Sequence, residues 1–173
     1  MIYVICSGFW DPIGIQHIKL FEEAKKLGDY LIVGVNSDEC SERKKGQPAF
    51  MPYNDRVIIC KNLKMVDEVV GFEDSNGTAC QLIANVYNKY KDNVDKGIDS
   101  IIFCNGGDRN ILTSPEDKYV KDKLNNKVSL VYGVGGDYKL ASSSKYLKNW
   151  VINTIEKYHY NIDLILDIKD NKY

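Results

Sequence analysis

At 173 residues the chain has the length of one domain and enough material to bury a core of its own. Its 23 Lys and Arg against 24 Asp and Glu leave a formal charge of -1, with no block of five like charges. That balance argues against a nucleic-acid coat or a membrane-surface protein, though a local basic cluster can still serve a small phosphate ligand. The apolar runs fall short of a membrane span, and the start has neither the basic region nor the long apolar region of a signal peptide, so a cytoplasmic protein with no membrane partner is expected.

In chain order, "IYVICS" (2–7) reads as a short buried strand. Ile15, Ile18, Phe21, Ala24 and Leu27 then recur at helical spacing, with Gly28 as a natural stop. "YLIVGV" (30–35) is a continuous β-branched run, as expected of a strand covered on both faces. A polar segment follows at 36–52, then a helix from about Tyr53 to Leu63 and a strand "VDEVVGF" (66–72). Ala79, Leu82, Ile83, Val86, Tyr87 and Tyr90 mark the clearest helix, opening near Thr78. "SIIFC" (100–104) is another buried strand, leading into "NGGDRN", a weak helix near 115–125 and the strand "KVSLVYG" (127–133). A last helix carries Tyr146, Leu147, Trp150, Val151, Thr154, Ile155 and Tyr158 on one face, and the tail "NIDLILDI" (161–168) reads as an edge strand or a dimer arm.

Strands alternating with helices predict an α/β fold, a Rossmann-like, doubly wound parallel sheet of about five strands with helices on both faces and right-handed crossovers. Residues 1–158 form the domain and 159–173 its C-terminal extension. Ligands of such folds bind beyond the carboxyl ends of the strands, at the switch point in strand order. Three polar or glycine-rich stretches, 7–17, 105–110 and 135–144, are expected to converge there.

No GxGxxG follows the first strand, and neither a GxxxxGK[ST] loop nor an HExxH pair occurs. "GVGG" (133–136) is weak alone, and a plain turn explains it equally well. The five cysteines, Cys6, Cys40, Cys60, Cys80 and Cys104, contain no CxxC pair and read as free thiols of a reducing compartment; with two histidines, no protein-held metal site is expected. His17 lies just inside a helix start, where its ring can reach a phosphate held by backbone N–H groups and the positive helix end. Taken singly, His17, the pair Lys44 and Lys45, and the serines of "SSS" (142–144) each have a plain structural explanation: a surface ring, solvated charge and a helix cap.

Together they carry a resemblance. "SGFWDPIGIQHIKLFEEAKKLGDYLIVGVNSDE" resembles the opening of the cytidylyltransferase-like nucleotidyltransferases, whose first loop reads GxFDxxHxGH. The likeness continues through "KKGQPAFMPYNDR", "VDEVV", "IFCNGGDRN" and "GVGGDYKLASSSKYL", about residues 1–150. Within the family the chain is similar to the small enzymes acting on glycerol 3-phosphate or phosphoethanolamine and to the nucleotidyltransferase half of ADP-heptose synthase. The resemblance implies transfer of a nucleoside monophosphate, CMP from CTP or AMP from ATP, to a small phosphorylated alcohol, amino alcohol or sugar. Pyrophosphate leaves in line, magnesium accompanies the triphosphate, and the protein is a homodimer.

By that resemblance Gly8, Phe9, Trp10 and Asp11 belong to the nucleotide loop, and His17 contacts the triphosphate. Lys44 or Lys45 bridges the phosphates of the two substrates. Arg56 matches a P-x-x-x-R segment. Gly107, Asp108 and Arg109 lie beside the nucleotide, and Ser142, Ser143 and Ser144 hold its phosphates. The match is incomplete at one place: HxGH becomes Gly14-Ile15-Gln16-His17, so the first histidine is missing. Losing one preorganised donor typically costs about 2.7–4 kcal/mol, ~10²–10³ in rate. Two expectations follow: an enzyme in which Gln16, Arg109 or a lysine replaces the donor and Gly14→His raises turnover, or a nucleotide-binding homologue without catalysis.

Overall fold

Among the described residues of the computed structural model, 1–106, 114–136 and 143–158, five strands form one sheet. They are β1 (Ile2–Gly8), β2 (Tyr30–Val35), β3 (Glu68–Gly71), β4 (Ser100–Gly106) and β5 (Val128–Val134). All pair in parallel, in the order β3-β2-β1-β4-β5. The order reverses between β1 and β4, whose Cys6 and Cys104 are register partners, so the Gly8 and Gly106 ends emerge side by side. By the general rule for open α/β sheets, this is where a ligand crevice belongs.

Side chains alternate across the strands, and each set meets its own helices. Tyr3, Ile5, Ile32, Ile101 and Phe103 pack against Leu82, Ile83 and Val86 of α4 (Cys80–Asp95) and Val120 of α5 (Pro115–Leu124). Val4, Cys6, Leu31, Val33 and Cys104 pack against Phe21 and Ala24 of α1 (Ile15–Lys25) and Cys60 of α3 (Tyr53–Lys61). The doubly wound expectation is thereby met. All five cysteines are free thiols.

One element departs from the reading of the sequence. The polar segment 36–52 contains a helix, α2 (Asp38–Lys45). Apolar periodicity misses it because the helix is short and almost wholly polar. Its ends are well marked, however. The Ser37 hydroxyl accepts from the Cys40 N–H at 3.0 Å, Asp38 and Glu39 sit in the first turn, Arg43, Lys44 and Lys45 in the last, and Gly46 closes it at φ 69°.

The chain divides into two units, Met1–Lys139 and Leu140–Tyr173. In the second, α6 (Ser143–Tyr158) covers the predicted final helix and begins within the serine run. The tail 161–168 lies outside the described residues. No described helix is long and apolar enough to cross a membrane.

The segments around β1 and β2 are tied together by one side chain, Arg56 of α3, which is 1% exposed. Its Nε donates to Met51 O at 3.0 Å, and its Nη1 donates to Phe9 O at 2.5 Å and to Asn36 O at 3.0 Å. Its Nη2 meets the Asp38 carboxylate at 2.5 Å. A planar cation with five fixed donors is suited to such a junction, where an ammonium would satisfy fewer acceptors. Removing the guanidinium leaves three carbonyls without this donor, at typically about 1–3 kcal/mol each where they stay buried, so at least about 3 kcal/mol in all. Arg56→Met is expected to lose about that much in urea unfolding, and a midpoint within error of the parent protein would show that the junction is not what holds these loops.

Candidate active site

The loop after β1 is shaped by its tryptophan. Trp10 is 4% exposed and adopts a left-handed backbone, φ 54°. The indole turns inward, donates from Nε1 to Gly34 O at 2.9 Å and packs edge-on against Phe21. A Cβ at Gly8 would stand 2.9 Å from that ring, so the strand must end in glycine for the indole to lie across it. Local strain at Trp10 is offset by the burial of a large aromatic surface.

Asp11 is buried and faces the protein. Its Oδ2 accepts from Phe50 N at 3.0 Å and its Oδ1 from Met51 N at 2.8 Å, which fastens the segment before α3 to the loop. The Lys45 ammonium lies 3.5 Å from Oδ2 and 4.9 Å from the centre of the Phe9 ring. Lys44 points elsewhere and donates to Gly77 O before α4. Of the two lysines that the sequence leaves open, Lys45 is the one turned to this loop.

His17 is the third residue of α1, and Gly14 is the N-cap. The Gly14 N–H donates to His17 Nδ1 at 3.0 Å, while Gly14 O accepts from the N–H groups of His17 and Ile18. With Nδ1 accepting, a neutral ring carries its proton on Nε2. The His17 ring packs edge-on against Trp10, 5.3 Å between centroids. Burial, reinforced by the nearby Lys45 charge, pushes its pKa down to about 4. At neutral pH His17 is an uncharged donor beside an ammonium, at the positive end of a helix.

The residues that aim the lysine helix escape a motif-based reading. Asp74 is 4% exposed, and its carboxylate accepts from Asn36 Nδ2 at 2.9 Å, Ser37 N at 2.8 Å and the Ser37 hydroxyl at 2.7 Å. Burial raises its pKa, but these donors outweigh it and hold the carboxyl below its ordinary range. Asp74 O also accepts from Arg43 at 3.1 Å, and Asp38 accepts from Tyr53 N at 3.1 Å. Lys45 thus reaches the loop from a helix anchored at its start by Arg56 and along its side by Asp74. The cap signature at Ser37 was the available signal; nothing in the sequence marks Asp74.

Of the predicted site, Gly8, Phe9, Trp10, Asp11, Gly14, Gln16, His17 and Lys45 gather around the carboxyl end of β1. Gly107, Asp108, Arg109 and Ser142, and the side chains of Ser143 and Ser144, lie outside the described residues.

Comparison with known proteins agrees with this fold. A sequence model of the Cytidylyltransferase-like family matches residues 5–149. The bifunctional protein HldE of Enterobacter sp. (strain 638) is 35% identical over 117 residues, 63% of this chain and 24% of that protein. Glycerol-3-phosphate cytidylyltransferase of Bacillus subtilis (strain 168) is 42% identical over 67 residues, 39% of this chain and 51% of that one. FAD synthase of Pyrococcus horikoshii is 41% identical over 69 residues, 40% of this chain and 47% of that one. The matches thus span about half or less of each relative. A crystal structure of a lipopolysaccharide core biosynthesis protein from Thermoplasma volcanium GSS1 shares the fold, with a TM-score of 0.55 and 23% identity over 76% of this chain and 93% of that one. With the family model matching residues 5–149 and the parallel sheet in accord, the chain belongs to the cytidylyltransferase-like family of nucleotidyltransferases.

Proposed function

We propose that this protein transfers a nucleoside monophosphate, CMP from CTP, to a small phosphorylated alcohol, amino alcohol or sugar, with release of pyrophosphate. One observation carries the reading: a neutral His17, its Nδ1 engaged by the Gly14 N–H, and an ammonium, Lys45, stand together by the loop at the carboxyl end of β1. The acceptor phosphate attacks the α-phosphorus in line, so two anions must be brought together while charge grows on the leaving pyrophosphate. Positioning and preorganised donors supply most of the acceleration in such a step.

The division of labour follows from the charges. His17 is neutral and needs no proton from solvent to donate to a phosphate oxygen. Lys45 carries the positive charge, and a polyanion competes with Asp11 and the Phe9 ring for it. Magnesium fits as an ion brought by the triphosphate. Asp11 already accepts from Phe50, Met51 and Lys45, and no other cluster of metal-ligating side chains is found among the described residues. Magnesium is ordinarily held through substrate phosphates, whose charge it neutralises.

A second reading, nucleotide binding without turnover, is favoured by Gly14 in place of the first signature histidine. Pyrophosphate release from CTP and from ATP separates the two, with glycerol 3-phosphate, phosphoethanolamine, a heptose phosphate and FMN as acceptors. Turnover with any pair supports transfer. Binding of nucleotide by calorimetry with no turnover on the whole panel supports the second reading. In the active pair, Lys45→Ala is expected to lower kcat/KM ~10²-fold, whereas Lys44→Ala stays within about threefold because Lys44 is directed to Gly77. Equal losses in both variants would remove Lys45 from its special place.

The depressed pKa gives a pH test. His17 titrates at about 4 when folded against an ordinary 6.5, so as pH falls the unfolded chain takes up this proton first. Stability from the neutral ring is complete above about pH 6.5 and is lost between there and pH 4. Urea unfolding at pH 7, 5.5 and 4.5 should show His17→Asn losing less stability over this window than the parent protein. Parallel losses would mean that His17 is not held neutral by the fold.

A further inference from the structure

Position 14 is glycine for a reason that the main chain does not supply. Gly14 has φ -138° and ψ 176°, extended backbone that any residue adopts. What a side chain here would meet is a neighbour that must give way. A Cβ at position 14 would stand 2.9 Å from Gln16 Oε1, 3.3 Å from Nε2 and 3.4 Å from Cδ. The Gln16 carboxamide has folded back over the N-cap of α1 and occupies the room from which a side chain at 14 would start.

Set against HxGH, glycine and the polar residue have exchanged places. The signature has its polar group at the first position and glycine at the third; this chain has Gly14 and Gln16. Yet the polar group of Gln16 lies against the N-cap, at the positive end of α1, one residue from His17. A carboxamide there offers two N–H donors on a side chain of similar reach to an imidazole. Phosphate oxygens are favoured at such a helix end.

The geometry points to Gln16 as the second side-chain donor to the triphosphate, with Gly14 as its seat, so that the two positions act as one coupled unit. This rests on the nucleotidyltransferase reading for the identity of the ligand; the coupling of 14 to 16 does not. It leads to a different expectation from the one that histidine at 14 raises turnover: with Gln16 present, the imidazole and the carboxamide contend for one space.

The test is a cycle of Gly14→His, Gln16→Gly and the double variant, together with Gln16→Ala. Each is measured for melting temperature without ligand and for CTP, ATP and CMP affinity by calorimetry with magnesium. Gly14→His alone should lower the melting temperature, and adding Gln16→Gly should recover most of the loss. Gln16→Ala should weaken triphosphate binding by about 10–100-fold, the worth of a hydrogen bond to a charged group, with CMP affinity little changed; the double variant should regain it. Additive melting temperatures, or triphosphate affinity unchanged in Gln16→Ala, would overturn the proposal and leave the nucleotidyltransferase reading intact. A parent protein that binds no triphosphate overturns that reading and the donor role together, while a coupled melting cycle would still establish the seat.

Discussion

A buried guanidinium organises the catalytic end of this protein. Main-chain carbonyls at the ends of strands and in loops have no ladder partner, and burying them unsatisfied costs about as much as the hydrogen bonds they lack. Arg56 answers three of them, at Phe9, Asn36 and Met51, and then takes the Asp38 carboxylate. The first lies on the loop after β1, the second at the end of β2, the third before α3 and the fourth at the start of α2. No apolar side chain joins four such segments, because dispersion has no direction. The family arginine in P-x-x-x-R therefore acts here through the loops it fixes.

Around that junction the site separates charge from hydrogen-bond donation. Lys45 supplies the charge and is restrained by Asp11 and Phe9. His17 supplies a neutral donor whose tautomer is fixed by the Gly14 N–H. The two depend on one another. Burial and the Lys45 charge keep the imidazole unprotonated, so a second cation does not form beside the first at neutral pH. Asp74 and Ser37 complete the arrangement by holding α2, without which Lys45 has no fixed origin.

Much of this was legible in the sequence, and what was not has physical causes. The five strands read correctly because strands covered on both faces are continuous β-branched runs, as in "IYVIC" and "YLIVGV". The amphipathic α1 and α4 read correctly from Phe21, Ala24, Leu82 and Ile83, whose burial their spacing announces. Helix α2 stayed hidden because periodicity detects an apolar face and this helix has almost none; its caps were the only local evidence. The choice between Lys44 and Lys45 was closed to spacing, since neighbouring residues on a helix point about 100° apart and only tertiary position decides which faces the loop. Asp74, far from any motif, is recognised only through Asn36 and Ser37.

Gly14 shows the same limit from the other side. In a linear comparison it is a deletion: a histidine is gone and a rate-giving donor with it. In three dimensions the question is which group fills the volume, and there the carboxamide of Gln16 stands where the side chain of residue 14 would begin. Two substitutions that each depart from a signature motif can together keep a polar group at the helix start, because space is shared between neighbouring positions. Motif matching scores residues one at a time and counts such an exchange as two losses. Packing counts it as one relocation: the extended backbone at Gly14 tolerates any residue, and what a side chain there would have to displace is the Gln16 carboxamide.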